Sequence, residues 1–186
     1  SVKGADTSYG IVVIQPDDTP TTNNLVKNNF IDFNSTSSSG YSYNAFPPAG
    51  IAMALSASGN NLVNNTVMTA GYNGYGIELN GANDNNVIGN NVTTLGLNSS
   101  TIINLFSNNS NVINNFFMTS GSISDGMDIL SSWNCNVSGN TFSINGLNSM
   151  GIGALSSLYL LLEENDITTK QSGAHGIVLG SFSANN

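Results

Sequence analysis

The stretch NVIGNNV, residues Asn86–Val92, returns 25 residues later as NVINNFF, residues Asn111–Phe117. Each stretch places an asparagine, Asn90 or Asn115, three residues after a valine and two residues before another apolar residue. The pattern recurs along the chain, and its anchor asparagines are Asn28, Asn65, Asn90, Asn115, Asn140 and Asn165. From Asn65 onward the period is 25 residues. A fixed period of this size is typical of stacked structural repeats.

The anchor asparagines predict a structural ladder. Coils of a parallel β-helix stack about 4.8 Å apart, so one side-chain amide per coil can bond to the next and satisfy backbone groups at the bend. We therefore expect these residues to be scaffold and not a ligand site. The residue before each anchor is mostly Gly or Asn, which tolerate positive φ and indicate a kink. Lys27 and Glu164 break that column, and the 37-residue gap from Asn28 to Asn65 implies a 12-residue insertion.

Two further registers share the period. They are Gly76, Thr101, Gly126, Gly151 and Gly176, and Gly71, Gly96, Gly121 and Gly146. Three punctuated segments per period predict three short strands and three bends in each coil. In GIELNG, from Gly76, Ile77 and Leu79 should point inward and Glu78 and Asn80 outward. The sequence predicts an all-β, single-stranded parallel β-helix of about seven coils, with about 25 residues in each coil.

These motifs, G-I-x-apolar followed by N-[VL]-[VI]-x-N-x-[VF], extend over nearly the whole chain. The chain resembles right-handed parallel β-helix proteins of the pectin-lyase-like class. Within that class it is most similar to the Asn-rich repeats of NosD-like periplasmic proteins and of adhesin-like surface proteins from methanogenic archaea. The resemblance implies a right-handed solenoid. It specifies the fold well and the function poorly.

Composition excludes two classes of partner. The 186 residues include three Lys+Arg and eleven Asp+Glu, for a net charge of −8, and the three cations are Lys3, Lys27 and Lys170. With no arginine and so few lysines, nothing could neutralise nucleic-acid phosphates. No stretch of 18 apolar residues is present, so we expect no membrane insertion within this segment.

The chain organisation indicates one β-helix domain, residues 1–186, with insertions near residues 17–20 and 31–48. The pattern stops inside a repeat at Asn186, which suggests a fragment of a longer repeat protein or a unit that associates end to end through uncapped coils. Six Asn-x-Ser/Thr sequons and few lysines favour an extracellular or cell-surface glycoprotein. The glycosylation candidates are Asn34, Asn64, Asn91, Asn98, Asn108 and Asn136.

Aromatic residues in and near the insertions are candidates for ligand binding, because loops on rigid scaffolds often carry function. Tyr41, Tyr43 and Phe46 could stack on sugar rings, as could Tyr72 and Tyr75. Carboxylates of the inserted segments could bind calcium or sugar hydroxyls. These acidic residues are Asp17, Asp18 and Asp32. The alternative is a packed loop that covers one end or edge of the solenoid.

Two carboxylates on the regular face are weak catalytic candidates. Glu78 and Asp128 share a column two coils apart, about 9–10 Å, which is compatible with an inverting glycosidase pair. Ile103 lies between them, and simple solvated carboxylates are the alternative. Asp125 and Asp128 together are a weak candidate for calcium.

Arginine-dependent lyase and epimerase chemistry is disfavoured because the chain has no arginine. His175-Gly176 matches the His-Gly pair of polygalacturonase-like members of the resembled class, but their basic element is missing. Any enzyme would therefore be a polysaccharide-acting glycosidase. Cys135, the one cysteine, is expected to be a packed thiol, since no nearby histidine could activate it.

The leading hypothesis from the sequence is a non-catalytic adhesin stalk or cell-envelope structural unit without a cofactor. The alternative is a fragment that binds or processes carbohydrate. The partners expected are a carbohydrate, an envelope protein or another copy of the chain. An accessory role in metal-cluster maturation, like that of NosD, lacks a ligand cluster, since only one histidine and one cysteine occur.

Overall fold

The computed structural model describes residues 9–14, 21–34 and 48–180, which form nineteen β-strands in three parallel sheets. Sheet 1 contains β1 (Tyr9–Ile14), β4 (Ala49–Ala54), β7 (Tyr75–Asn80), β10 (Ile102–Leu105), β13 (Met127–Leu130), β16 (Met150–Leu155) and β19 (His175–Leu179). Sheet 2 contains β2 (Leu25–Lys27), β5 (Asn61–Val63), β8 (Asn86–Ile88), β11 (Asn111–Ile113), β14 (Asn136–Ser138) and β17 (Leu161–Glu163). Sheet 3 contains β3 (Phe30–Asn34), β6 (Thr66–Ala70), β9 (Asn91–Thr94), β12 (Phe116–Thr119), β15 (Thr141–Ile144) and β18 (Asp166–Thr169).

From β4 onward, each strand pairs in parallel with the strand three places before it, so the chain winds as a right-handed β-solenoid with three strands per turn. The predicted fold class is confirmed. Seven coils is slightly too many, because the described residues form six three-stranded coils and β19 alone begins another. No helix in the described part of the chain is long and apolar enough to cross a membrane.

The core is a narrow apolar column that runs the length of the solenoid. Ile77, Ile102 and Met127 lie in register on successive strands and are fully buried. Phe117 and Phe142, also in register, pack with ring centroids 5.1 Å apart. Alternation within β7 buries Ile77 and Leu79 inside the coil and directs Glu78 to the outer face of sheet 1.

Ladders of hydrogen-bonded side chains satisfy the backbone polar groups at the bends between sheets. In the asparagine ladder, the backbone N and the Nδ2 of Asn90 both donate to Asn115 Oδ1, at 2.8 and 3.0 Å. Asn115 donates in the same way to Asn140 Oδ1, at 2.9 Å for both atoms. Asn115 Nδ2 also donates to the backbone oxygen of Val87, at 2.8 Å. Serine ladders stand at the other two corners, formed by Ser99, Ser124 and Ser149 and by Ser107, Ser132 and Ser157.

The first rung of the asparagine ladder is Asn29, and its assignment to Asn28 was wrong. Both donor nitrogens of Asn29 bond to Asn65 Oδ1 at 3.0 Å, whereas Asn28 has φ of 59° and occupies the kink. Lys27 therefore lies in a strand and does not interrupt the kink column. The gap to Asn65 is 36 residues, which makes the insertion one residue shorter than expected. Of the two expected exceptions only Glu164 remains, with φ of 53°.

Candidate functional site

The outer face of sheet 1 carries a second apolar cluster, which we call the outer cluster. Its buried members are Ala49, Ala52, Tyr75 and Ile103, and Tyr9, Leu105 and Leu130 pack against it half-buried. Ala52, Glu78 and Ile103 occupy one column on β4, β7 and β10. Glu78, at 1% exposure, is therefore a carboxylate enclosed among apolar side chains on a face that would ordinarily be solvated.

The Glu78 carboxylate has little compensation for its burial. Asn80 Nδ2 donates to its Oε1 at 3.1 Å, and its Oε2 has no hydrogen-bond partner within the described residues. Burial raises the pKa of Glu78 from 4.5 to about 7, and the Asn80 hydrogen bond opposes the shift. Burial, with a smaller effect of the Glu78 charge, raises the pKa of Tyr9 well above its ordinary value.

Asp125 and Asp128 form a second acidic group farther along the same face. Asp125 Oδ1 accepts a hydrogen bond from the backbone N of Met150, and Asp128 Oδ2 accepts one from Ser100 Oγ at 2.7 Å. Burial raises the pKa of Asp128 to about 8, and the charge of Asp125 raises it further in the same direction. Burial also raises the pKa of Asp125. The hydrogen bond between the two carboxyls lowers the pKa of Asp125 and raises that of Asp128.

The column places Glu78 and Asp128 two strands apart with Ile103 between them. Ile103 is 7% exposed and fills the space that an inverting glycosidase would leave for a water molecule between its carboxyls. The raised pKa values suit proton transfer at neutral pH, but Glu78 is closed to solvent.

The calcium candidates Asp125 and Asp128 are occupied by each other and by protein donors. Within the described residues, no group of three His, Cys, Asp or Glu side chains could hold a metal ion. A hard cation such as calcium takes six to eight oxygen ligands. The pair supplies a small part of such a set.

The structure separates the aromatic candidates. Tyr75 is 5% exposed within the outer cluster, so it cannot serve as a surface platform for a sugar, and this expectation was wrong. Tyr72 is 41% exposed at the corner between sheets 3 and 1. Asp32 is half-buried on β3. The remaining loop candidates, Asp17, Asp18, Tyr41, Tyr43 and Phe46, lie outside the described residues.

The glycosylation candidates differ in exposure. Asn34, Asn64 and Asn91 are exposed, and Asn98, Asn108 and Asn136 are half-buried. Cys135 is buried, with burial raising the pKa of its thiol, and it donates to the backbone oxygen of Ser107 at 3.4 Å. It takes the place that Asn60 and Asn85 hold in earlier coils, as a packed member of the interior.

Sequence reasoning missed a group of exposed aromatic residues at the corner between sheets 1 and 2, which we call the aromatic edge. It consists of Phe106, Trp133 and Tyr159, at 59%, 51% and 56% exposure. Phe106 and Tyr159 have φ of 51° and 56°. The Tyr159 column otherwise holds polar or small residues in the same left-handed conformation, such as Asn109, and the Phe106 column holds Gly81 and, with φ of 54°, Leu55. Aromatic residues at a corner formed mostly of Gly, Ser, Asn and Asp were the signal in the sequence.

Together with the comparisons to known proteins, the structure defines this chain by its fold alone: it is a parallel β-solenoid built from repeats. No protein-family model matches the chain, and no curated protein matches it either. Among solved structures, the chain is compared with QnrB1, a plasmid-mediated fluoroquinolone resistance protein. Identity is 13%, coverage is 96% of this chain and 93% of that chain, and the TM-score is 0.19. A score this low carries no argument about function.

Proposed function

We propose that this chain is a non-catalytic, extracellular or cell-surface β-helix repeat segment, an adhesin stalk or a structural unit of a cell envelope. The observation that carries the proposal is the asparagine ladder, which continues without interruption from Asn29 to Asn165. A rod held together by such ladders is a spacer whose length is set by the number of coils. The resemblance to pectin-lyase-like and NosD-like repeats, and to archaeal adhesin-like proteins, supports the same role.

The closed acidic face also favours a non-catalytic role. Glu78 is 1% exposed and Ile103 separates it from Asp128, so a polysaccharide has no route to both carboxyls in the folded chain. The sequence also contains no arginine, one of the two residue types that serve as the base in lyases of the resembled class.

End-to-end association is the mode of assembly we propose. Ile152 is fully buried, whereas Ile177, in register with it on β19, is 48% exposed, and Ile167 on β18 is half-buried. The last described coil therefore presents apolar core side chains and strand edges that a further coil would cover. Ile177→Lys should weaken assembly, whereas Val178→Lys, on the outward column, should not.

The test combines assembly with binding. Sedimentation velocity over a range of concentrations would detect end-to-end association, and retention on immobilised uronate and neutral polysaccharides would detect adhesion. Assembly or retention without cleavage supports the proposal. A chain that stays monomeric at every concentration and is retained on none of the polysaccharides would contradict the proposal.

A second function, processing of carbohydrate by a glycosidase mechanism, is favoured by one observation. Glu78 has a pKa of about 7, in the range of a general acid, and it shares a face with the Asp125–Asp128 pair. Chain cleavage in the same polysaccharide panel, abolished in Glu78→Gln and in Asp128→Asn, would establish it and overturn the non-catalytic proposal. Unchanged turnover in both variants would remove this site assignment.

A further inference from the structure

The aromatic edge breaks a local rule of this fold without an evident gain inside the molecule. Phe106 and Tyr159 hold the left-handed conformation, which costs an L-amino acid roughly 1–2 kcal/mol relative to the right-handed region. Both side chains are more than half exposed, so packing within the chain offsets little of that cost. Within the described residues, the two rings in contact are Phe117 and Phe142 in the core, and no ring of the aromatic edge is paired in this way.

The three rings come from three consecutive coils. Phe106 follows β10, Trp133 lies between β13 and β14, and Tyr159 lies between β16 and β17. The backbone connects them closely, since Trp133 pairs with Leu158, the neighbour of Tyr159, and its backbone N donates to Asn108 Oδ1 at 2.8 Å. Successive coils rise about 4.8 Å along the rod, but the rings lie in three different columns, because Phe106, Trp133 and Tyr159 are 27 and 26 residues apart and not 25. The three rings therefore cross the corner obliquely.

The segments that carry the rings are uncharged. The sequences that form this corner in the three coils are LFSNNS (105–110), LSSWNC (130–135) and LSSLYL (155–160), and none contains Asp, Glu, Lys or Arg. Asn109 and Asn134 are exposed between the rings; Asn134 Nδ2 donates to Asn109 Oδ1 at 3.3 Å, and Asn109 Nδ2 donates to Asp84 Oδ1 of the preceding coil at 2.9 Å. The carboxylate of Asp84 would repel a uronate at this corner. A neutral sugar chain, with apolar faces and a hydroxyl rim, fits an edge of rings and amides better than a charged uronate does.

We propose that the aromatic edge is a binding site for a neutral polysaccharide, which stacks sugar rings on Phe106, Trp133 and Tyr159. The choice of partner rests on the proposed adhesive role. The rings stand at the corner between sheets 1 and 2, beside Leu105 and Leu130 of the outer cluster, and the site uses neither Glu78 nor the Asp125–Asp128 pair.

Trp133 provides a direct test, because it is the one tryptophan of the chain. The purified protein is titrated with soluble xylan, mixed-linkage glucan and mannan, and with polygalacturonate as the charged comparison, while tryptophan emission is followed. A saturable blue shift with at least one neutral polysaccharide, and none with polygalacturonate, is expected. Phe106→Asn and Tyr159→Asn should each weaken binding roughly three- to tenfold, as expected for the loss of one aromatic contact.

The variants keep the test interpretable. Asparagine tolerates positive φ, so neither substitution should lower the melting temperature. Phe116→Asn is the matched control, because Phe116 is a 40% exposed aromatic residue on sheet 3 in register with Asn91. It should leave the titration unchanged.

Other outcomes overturn the proposal. If the folded protein shows no change in emission with any polysaccharide, the aromatic edge is not the site. If the protein is retained on a polysaccharide column but its tryptophan emission does not change, the adhesive role is supported and the aromatic edge is rejected as the binding site. Absence of both retention and assembly rejects the adhesive role together with the site. A blue shift that depends on protein concentration and needs no sugar would show that a second copy covers the edge instead.

Discussion

Replacing Glu78 with glutamine should stabilise the folded chain above neutral pH. The folded pKa of Glu78 is about 7, against an ordinary value of 4.5, because the carboxylate is buried. The folded state therefore holds this proton more tightly than the unfolded state does. The stability associated with the proton is fully present below pH 4.5 and is lost as the pH rises through about 7.

The magnitude follows from the difference between the two pKa values. Each pKa unit corresponds to about 1.4 kcal/mol, so ionising Glu78 in the folded state costs about 3 kcal/mol in the free energy of unfolding at pH 8 and above. Glutamine accepts the same hydrogen bond from Asn80 and carries no charge to bury. The variant should match the parent near pH 4 and exceed it by about 3 kcal/mol at high pH, or by about 6–12 °C in melting temperature.

Urea denaturation followed by circular dichroism, at a series of pH values between about 4 and 9, measures this difference directly. Titration of Asp125 and Asp128 occurs in both proteins, so the difference between the two curves isolates Glu78. Glu163→Gln, at an exposed position on β17, controls for the loss of one negative charge. Parallel curves for Glu78→Gln and the parent at every pH would refute the reasoning, because they would mean that the Glu78 carboxylate is solvated.

Three further predictions concern the scaffold. Asn115→Ala should lower the free energy of unfolding by about 2–3 kcal/mol in urea denaturation, because it removes the acceptor of the Asn90 backbone N and the donor to the Val87 backbone oxygen; no change would contradict the ladder. Ile123→Asn should raise it by about 1 kcal/mol in the same assay, since Ile123 has φ of 53° and is 54% exposed, and destabilisation would contradict this account. Cys135 should react with a thiol reagent at the rate of global unfolding, and rapid labelling of the folded protein would show that it is accessible.

The repeat period predicted the solenoid because 25-residue spacing and three punctuated segments leave few alternatives. The register of the first coil could not be read in the same way. Asn28 and Asn29 are adjacent, and either fits the anchor motif. Alternation decides between them, because the observed register buries Ile31 and leaves Phe30 49% exposed, and a slip of one residue would reverse the two.

The sequence pattern predicted the positions of Glu78 and Asp128 on the outer face of sheet 1 but not their burial. The sequence placed Glu78, Ile103 and Asp128 in one outward column, and the structure has the same column. It did not indicate how far these carboxylates are enclosed, with Glu78 at 1% exposure and Asp128 half-buried. Solvated carboxylates were the ordinary expectation. The raised pKa values of Glu78 and Asp128 follow from their burial and not from the column itself.

Residues that depart from the repeat pattern are of two kinds, buried and exposed, and the structure explains them differently. Cys135 and Thr101 replace the usual residues of their columns and are fully enclosed, so the packing and hydrogen bonds around them account for the exchange. Phe106 and Tyr159 occupy left-handed positions at a solvent-facing corner, where glycine or asparagine would cost less and nothing in the interior requires a ring. Stability alone would therefore favour their replacement, as it would for Ile123, which has the same conformation and exposure. What distinguishes Phe106 and Tyr159 is that they flank Trp133 on consecutive coils, where the proposed neutral sugar chain stacks on all three rings.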